Sequence, residues 1–205
     1  VLLSSGNLAT TQGVIGQLTK EVEQGTGKNL LNLPHLEDVA DYVGEVSLRQ
    51  QEKHTGGGAS YESSFIVGGQ IASGKHGAYL VYPQGNHITT SADTPFLQIG
   101  ESKYGKPILD RIIGLSSPLD TAAVCGLVSM DSTMRSNITV GPPIEVLIYE
   151  KDSLVVTRRY KFQESSEYLR QISRSWDAKL KEAFNSMPPI AWSDNWDKTA
   201  ENNQP

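Results

Sequence analysis

Ser64-Phe65-Ile66-Val67-Gly68-Gly69-Gln70-Ile71-Ala72 is the stretch where the chain changes period. Before it, apolar residues return every three or four positions. Here β-branched and aromatic residues run together, which marks a strand. Ser73-Gly74-Lys75-His76-Gly77 is rich in turn formers and predicts a hairpin connection to a second strand over 78–82. Pro83-Gln84-Gly85-Asn86 predicts a tight turn, and strands follow over 87–91 and 94–99. Four short strands joined by tight turns predict an antiparallel meander.

Helices flank this core on both sides. Leu8, Val14, Ile15, Leu18 and Val22 predict a helix over 8–23, weakened by Gly13 and Gly16. Leu36, Val39, Val43 and Val46 predict another over 35–54, with Asp38, Asp41 and Glu45 on its far face. Gly56-Gly57-Gly58 closes that helix. After the meander, a helix over 101–113 opens directly from the fourth strand. A helix over 120–133 carries Ala122, Ala123, Val124, Cys125, Leu127 and Val128, apolar nearly all round, and is expected to be buried. Pro142-Pro143 breaks the chain. Segments 144–150 and 154–162 predict a hairpin across Lys151-Asp152-Ser153. Leu169, Ile172, Trp176, Leu180 and Phe184 stripe a last helix over 165–186. No boundary or repeat interrupts the pattern, so one domain is expected over 1–187 with a polar tail over 188–205, apolar only near Trp192 and Trp196. Runs of helices alternating with runs of strands predict a layered α/β (α+β) fold with antiparallel sheets rather than βαβ units.

The net charge of −5 comes without a clustered basic face, which argues against a nucleic-acid partner. No apolar run approaches the roughly 18 residues of a membrane helix. Cys125 is the single cysteine, so no internal disulfide forms and a reducing, cytoplasmic setting is expected. Val1-Leu2-Leu3 is apolar from its first position and runs into Ser4-Ser5-Gly6-Asn7, a turn with helix-capping residues. It reads as the end of a longer strand whose front is expected before Val1.

Few residues carry recognisable chemistry by themselves. Gly25-Thr26-Gly27-Lys28 departs from a phosphate loop, because Val22 stands where a glycine is needed and Asn29 where a Ser or Thr is needed. A plain loop is expected. Gly100-Glu101-Ser102-Lys103-Tyr104 sits at a strand-to-helix turn, the setting of a nucleophile elbow, but Tyr104 replaces the final glycine. Capping or site-lining by Glu101 and Ser102 is the plainer reading. His35, His54, His76 and His87 have no metal-ligand spacing and read as surface or cap residues. Cys125 is expected packed and unreactive. Asn137-Ile138-Thr139 matches a glycosylation sequon by chance. Asp131-Ser132-Thr133-Met134-Arg135-Ser136-Asn137 crowds small polar residues behind an apolar helix and suits either a site wall or a helix end.

Several stretches together carry a resemblance over nearly the whole chain: Phe65 to Gln70, Tyr82 to Asn86, Asp93 to Arg111, and Asp131 to Asn137. They resemble the Anbu family, bacterial proteasome-type proteases close to an ancestral proteasome β subunit. The opening Val1 to Leu8 is similar to the strand-to-first-helix junction of that family. The resemblance implies an N-terminal-nucleophile hydrolase fold, a four-layer αββα sandwich of two antiparallel sheets between helical layers, with its first strands absent here. In such enzymes the hydroxyl of an N-terminal Thr attacks the scissile carbonyl, supported by an early Asp and Lys, and backbone N–H groups hold the oxyanion. The family places those three residues upstream of Val1, and Val1 cannot be a nucleophile. By the same resemblance, Glu101 and Ser102 line the site at the turn after Gly100. Asp131 and Ser136 hold the nucleophile's amine, with Ser132 competing for the role of Ser136.

The implied function is a cytoplasmic threonine peptidase subunit acting on a peptide or protein without a cofactor or metal. It is expected to form a homo-oligomer, as a ring or an open helical array, through its helices and the region of Trp192 and Trp196. An ATPase partner is left open. A non-enzymatic assembly subunit and a serine hydrolase using Ser102 are the rival readings.

Overall fold

The computed structural model describes residues 1–25, 27–53, 60–72, 74–156 and 158–190. Elements follow in the order β1 (Leu2–Gly6), α1 (Leu8–Gln24), α2 (Leu36–Glu52), β2 (Ser63–Gly69), β3 (Gly77–Val81), β4 (His87–Thr89), α3 (Lys106–Ile112), α4 (Leu119–Ser136), β5 (Ile144–Ile148), β6 (Arg158–Phe162) and α5 (Glu167–Asn185). Two antiparallel sheets result, a four-stranded one in the order β1-β2-β3-β4 and the pair β5-β6. α1 and α2 pack on the larger sheet, and α4 packs on β5 and on both α3 and α5. This is the α+β sandwich of two antiparallel sheets between helical layers.

The main core lies between the larger sheet and its two helices. Side chains alternate across a strand, so Phe65 and Val67 of β2 and Val81 of β3 point to one face. There they meet Val14 and Leu18 of α1 and Val39, Val43 and Val46 of α2. The register Ser4↔Phe65 and Leu2↔Val67 puts Leu2 on this same face. Leu3 and Ser5 therefore project to the opposite side, toward the second sheet.

Four expectations fail for physical reasons. Residues 94–99 form no strand. Pro95 removes a ladder donor, and the fourth place in the sheet is filled by β1 pairing with β2 from the other side. α3 starts at Lys106 rather than Glu101, because residues 103–105 form a turn and Pro107 favours a helix start there. β6 starts at Arg158 rather than Leu154, since Asp152 (φ 65°) and Leu154 (φ 53°) leave the extended region. α4 is not buried all round: Cys125, Leu127, Val128, Ser129 and Thr133 are buried, but Val124 is 43% exposed, in a groove it lines with Ile108 and Ile112 of α3 and Trp176 of α5.

Most local features behave as their chemistry dictates. Gly25 closes α1 in the left-handed conformation (φ 63°), and Lys28 pairs with Glu45 at 3.0 Å, so that loop is structural. The backbone N–H of His35 donates to Asp38 at 3.0 Å at the start of α2. His87 is more than a surface residue: its Nε2 lies 3.0 Å from Asp41 and its ring stands edge-on to Tyr79. Cys125 is 5% exposed, and burial pushes its thiol pKa up. His54, the glycine run over 56–58, Trp192 and Trp196 lie outside the described residues. Among the described residues, no helix is long and apolar enough to cross a membrane.

Candidate functional site

A cleft of about 860 Å³ separates the larger sheet from β5 and α4. Its floor is the face of β1 carrying Leu3 and Ser5, and its far wall is the α4 face with Gly126, Ser129, Met130 and Thr133. Residues 97–101 close one side, and Ile144 to Leu147 of β5 close another. Most of the lining is apolar, with small hydroxyl groups and two carboxylates set into it.

The end of β1 is fixed from several directions. Gly6 adopts φ +114°, and a β-carbon there would stand 2.5 Å from the Glu62 carbonyl oxygen. Asn7 caps α1 by accepting the Thr10 N–H at 3.1 Å, and its own N–H donates to Glu62 at 2.8 Å. Ser63 donates its hydroxyl to the Asn7 carbonyl at 3.0 Å, and Thr10 donates to the Tyr61 carbonyl at 2.8 Å. The strand-to-helix junction is thus a rigid corner at the rim of the cleft.

The turn at Gly100 faces this corner. Gly100 has φ +81°, and the space beside it is taken by the Ser5 hydroxyl, 3.2 Å from where a β-carbon would lie. Glu101 follows on the cleft wall. Its Oε1 accepts the Lys103 N–H at 2.9 Å and its Oε2 accepts from Asn137 Nδ2 at 3.2 Å. Gly105 packs on the Ser129 and Thr133 side of α4, where no side chain would fit. The second cleft carboxylate, Glu145, is held below its ordinary range by hydrogen bonds from Arg159 and Lys161. Its ion pairs are 2.6 Å and 3.2 Å long.

The other residues singled out from the sequence are dispersed. Ser102 is half-buried; its carbonyl accepts the Lys106 N–H at 3.2 Å. Among the described residues no imidazole or carboxylate hydrogen-bonds to its hydroxyl. Asp131 lies two positions beyond Ser129, hence nearly opposite the cleft face of α4. It pairs with Arg135 at 3.4 Å, too poorly aligned for a full hydrogen bond. Arg135 reaches on to Asp177 at 2.8 Å and Ser173 at 2.9 Å, which joins α4 to α5. Ser132 and Ser136 stand three and seven positions after Ser129, on the border of the cleft face. Ser132 is half-buried and Ser136 exposed. His76 also lines the cleft. Ser5, Ser129, Thr133 and Asn137 were not singled out as site residues in the sequence. The density of small polar residues over 131–137, at the end of α4, pointed to Thr133 and Asn137, and no sequence signal pointed to Ser5 or Ser129. Among the described residues no cluster of three His, Cys, Asp or Glu could hold a metal ion.

Two antiparallel sheets between helical layers, with a cleft opening beside the first strand-to-helix corner, define a proteasome-like β-subunit architecture. Solved structures agree in detail. Anbu, the ancestral β-subunit, from Yersinia bercovieri is 38% identical with a TM-score of 0.89, over 94% of this chain and 81% of that one. The helical assembly of the Anbu complex from Pseudomonas aeruginosa is 43% identical with a TM-score of 0.88, over 94% and 81%. A Gly-1 mutant of Anbu from Hyphomicrobium sp. strain MC1 is 39% identical with a TM-score of 0.88, over 93% and 80%. The chain belongs to the Anbu family. No family model and no curated protein matches it.

Proposed function

We propose that this chain is the scaffold of an N-terminal-nucleophile peptidase subunit that hydrolyses peptide bonds with a threonine. The observation that carries the reading is the deep, mostly apolar cleft beside the Gly6–Asn7 corner, in a protein of the Anbu family. An apolar cleft with a few fixed polar groups suits the binding of an extended peptide. By the family resemblance the nucleophile is expected upstream of Val1, and the lack of a base beside any hydroxyl in the described cleft supports that reading. The chain covers about 81% of the length of those relatives.

In this reading Glu101 lines the site at its turn, and Ser136 or its competitor Ser132, at the end of α4, is the candidate to hold the nucleophile's amine. Asp131 contributes by fixing α4 on α5 through Arg135. The geometry does not favour Ser102 as a nucleophile, because it lacks a base. Subunits assemble with copies of themselves. The helical assembly of the Pseudomonas aeruginosa relative supports this, as does the uncovered apolar stripe of α5, where Leu180 is 48% and Phe184 79% exposed. One buried cysteine suits a reducing cytoplasm.

Intact mass and N-terminal sequencing of the natural full-length protein test the reading. A mature N-terminal Thr, with an Asp and a Lys in the next few dozen residues, is the expected result. An N-terminal residue without a nucleophilic side chain would leave a non-enzymatic assembly subunit.

A further inference from the structure

We infer that Asn137 is a positioning residue that holds the cleft-side turn at Gly100–Lys103 through the carboxylate of Glu101; the inference rests on the hydrolase reading above. Asn137 ends α4, donating its backbone N–H to the Thr133 carbonyl at 2.8 Å. Its side-chain oxygen is saturated, accepting the Thr139 N–H at 2.9 Å and the Thr139 hydroxyl at 2.6 Å. Those two donors fix which way the amide points, so Nδ2 is the group directed at Glu101. The bond to Glu101 Oε2 is 3.2 Å, and the other carboxylate oxygen takes the Lys103 N–H at 2.9 Å.

Among the described residues, Glu101 has no ion pair with a Lys, Arg or His within 4.0 Å. Its orientation therefore depends on these two hydrogen bonds, one from its own turn and one from α4. The same turn presses Gly100 against Ser5, next to the Gly6 corner. A continuous set of contacts thus runs from the end of α4, across the cleft mouth, to the end of β1. The Asn-Ile-Thr triplet that reads as a chance sequon is the brace of this clamp.

Removing the amide leaves the carboxylate free to swing and the turn free to shift, and a shift of about 1 Å in a positioning element costs up to about 100-fold in rate. In the full-length protein, Asn137→Ala and Asn137→Asp are expected to lower kcat for a fluorogenic peptide by about 10- to 100-fold, with KM changed less than about threefold. Asn137→Asp sets two carboxylates together, so one takes up a proton as the pH falls and becomes a donor to the other. Its kcat recovers on acidification relative to wild type, and that of Asn137→Ala does not. Hydrogen exchange of the 100–104 amides is expected to quicken in Asn137→Ala, and to return to the wild-type rate in the exchanged pair Glu101→Gln/Asn137→Asp, where donor and acceptor trade places. Wild-type kcat in Asn137→Ala, or unchanged exchange at 100–104, overturns the inference while leaving the hydrolase reading intact. A wild-type protein that turns over no peptide overturns that reading and this catalytic role together, and the exchange rates still decide whether the clamp exists.

Discussion

The carbonyl oxygen of Glu62 occupies the space beside Gly6 in which any other residue would place its β-carbon, 2.5 Å away. Gly6 also holds φ +114°, a conformation that L side chains rarely adopt. Gly6→Ala is therefore expected to lose about 3 kcal/mol or more from strain and collision together. A drop in the denaturation midpoint at unchanged slope is the readout. A variant as stable as wild type would mean that the β1–α1 corner is not packed as described.

Glycines on the two helices should behave in opposite ways. Gly44 on α2 lies directly against the backbone of Gly85, in the β3–β4 turn, and neither backbone can retreat far. Gly44→Ala is expected to cost about 2–3 kcal/mol. Gly16 on α1 has open space around it. Gly16→Ala is expected to add about 0.5–1 kcal/mol through helix propensity. Thermal unfolding of the two variants side by side checks the contrast.

Tyr42 is 4% exposed and donates its hydroxyl to Glu21 at 2.5 Å. Tyr42→Phe is expected to cost about 1.5 kcal/mol, the lower end for a hydrogen bond to a charged group, because Gln17 still donates to Glu21. Burial, helped by the Glu21 carboxylate, raises the Tyr42 pKa above its ordinary 10.0. That contribution is fully present below pH 10.0 and is lost as pH rises through the folded-state value. Burial alone would raise Glu21, but the hydrogen bonds from Gln17 and Tyr42 and the charge of Arg49 hold it below its ordinary 4.5. Its contribution is present above pH 4.5 and is lost as pH falls through the folded-state value. The Tm gap between wild type and Tyr42→Phe should be widest between these limits and shrink beyond both.

The exposed end of the α5 stripe bears on assembly. Phe184→Asp places a charge on a surface that the assembly reading covers with another subunit. In sedimentation velocity the full-length variant is expected to run as smaller species than wild type, with its Tm shifted by no more than a few degrees because Phe184 is 79% exposed. Equal sedimentation of the two proteins would remove this end of α5 from the interface.

Much of the fold was legible because periodicity and turn chemistry are local. The run from Ser64 and the stripes of α1, α2 and α5 appear where the residues predict them. What local pattern cannot give is pairing across long separations. Ser4 meets Phe65 across some sixty residues, so the sequence marks residues 1–3 as a strand end but not their pairing with β2, on the edge of the sheet opposite the one expected to carry residues 94–99. The exposure of Val124 is invisible for the same reason, since it depends on where α3 and α5 lie.

The site was less legible than the fold. Glu101 and the small polar run at the end of α4 stood out, and the structure joins them through Asn137. Asp131 could not be placed from sequence, because its partner Arg135 is in turn bound by Asp177, on a helix that starts some thirty residues later. Ser5 enters the cleft through the register of β1 with β2, which local pattern does not give, and Gly100 folds against it there.

The central claim is that this cleft serves a threonine nucleophile lying outside residues 1–205. Treating the natural full-length protein with a peptide bearing an electrophile selective for hydroxyl nucleophiles, then mapping the adduct by mass spectrometry, tests it most directly. The predicted result is one adduct per subunit on the mature N-terminal threonine, diminished in Gly6→Ala. An adduct on Ser102 or any other residue within 1–205, or no adduct at all, would contradict it.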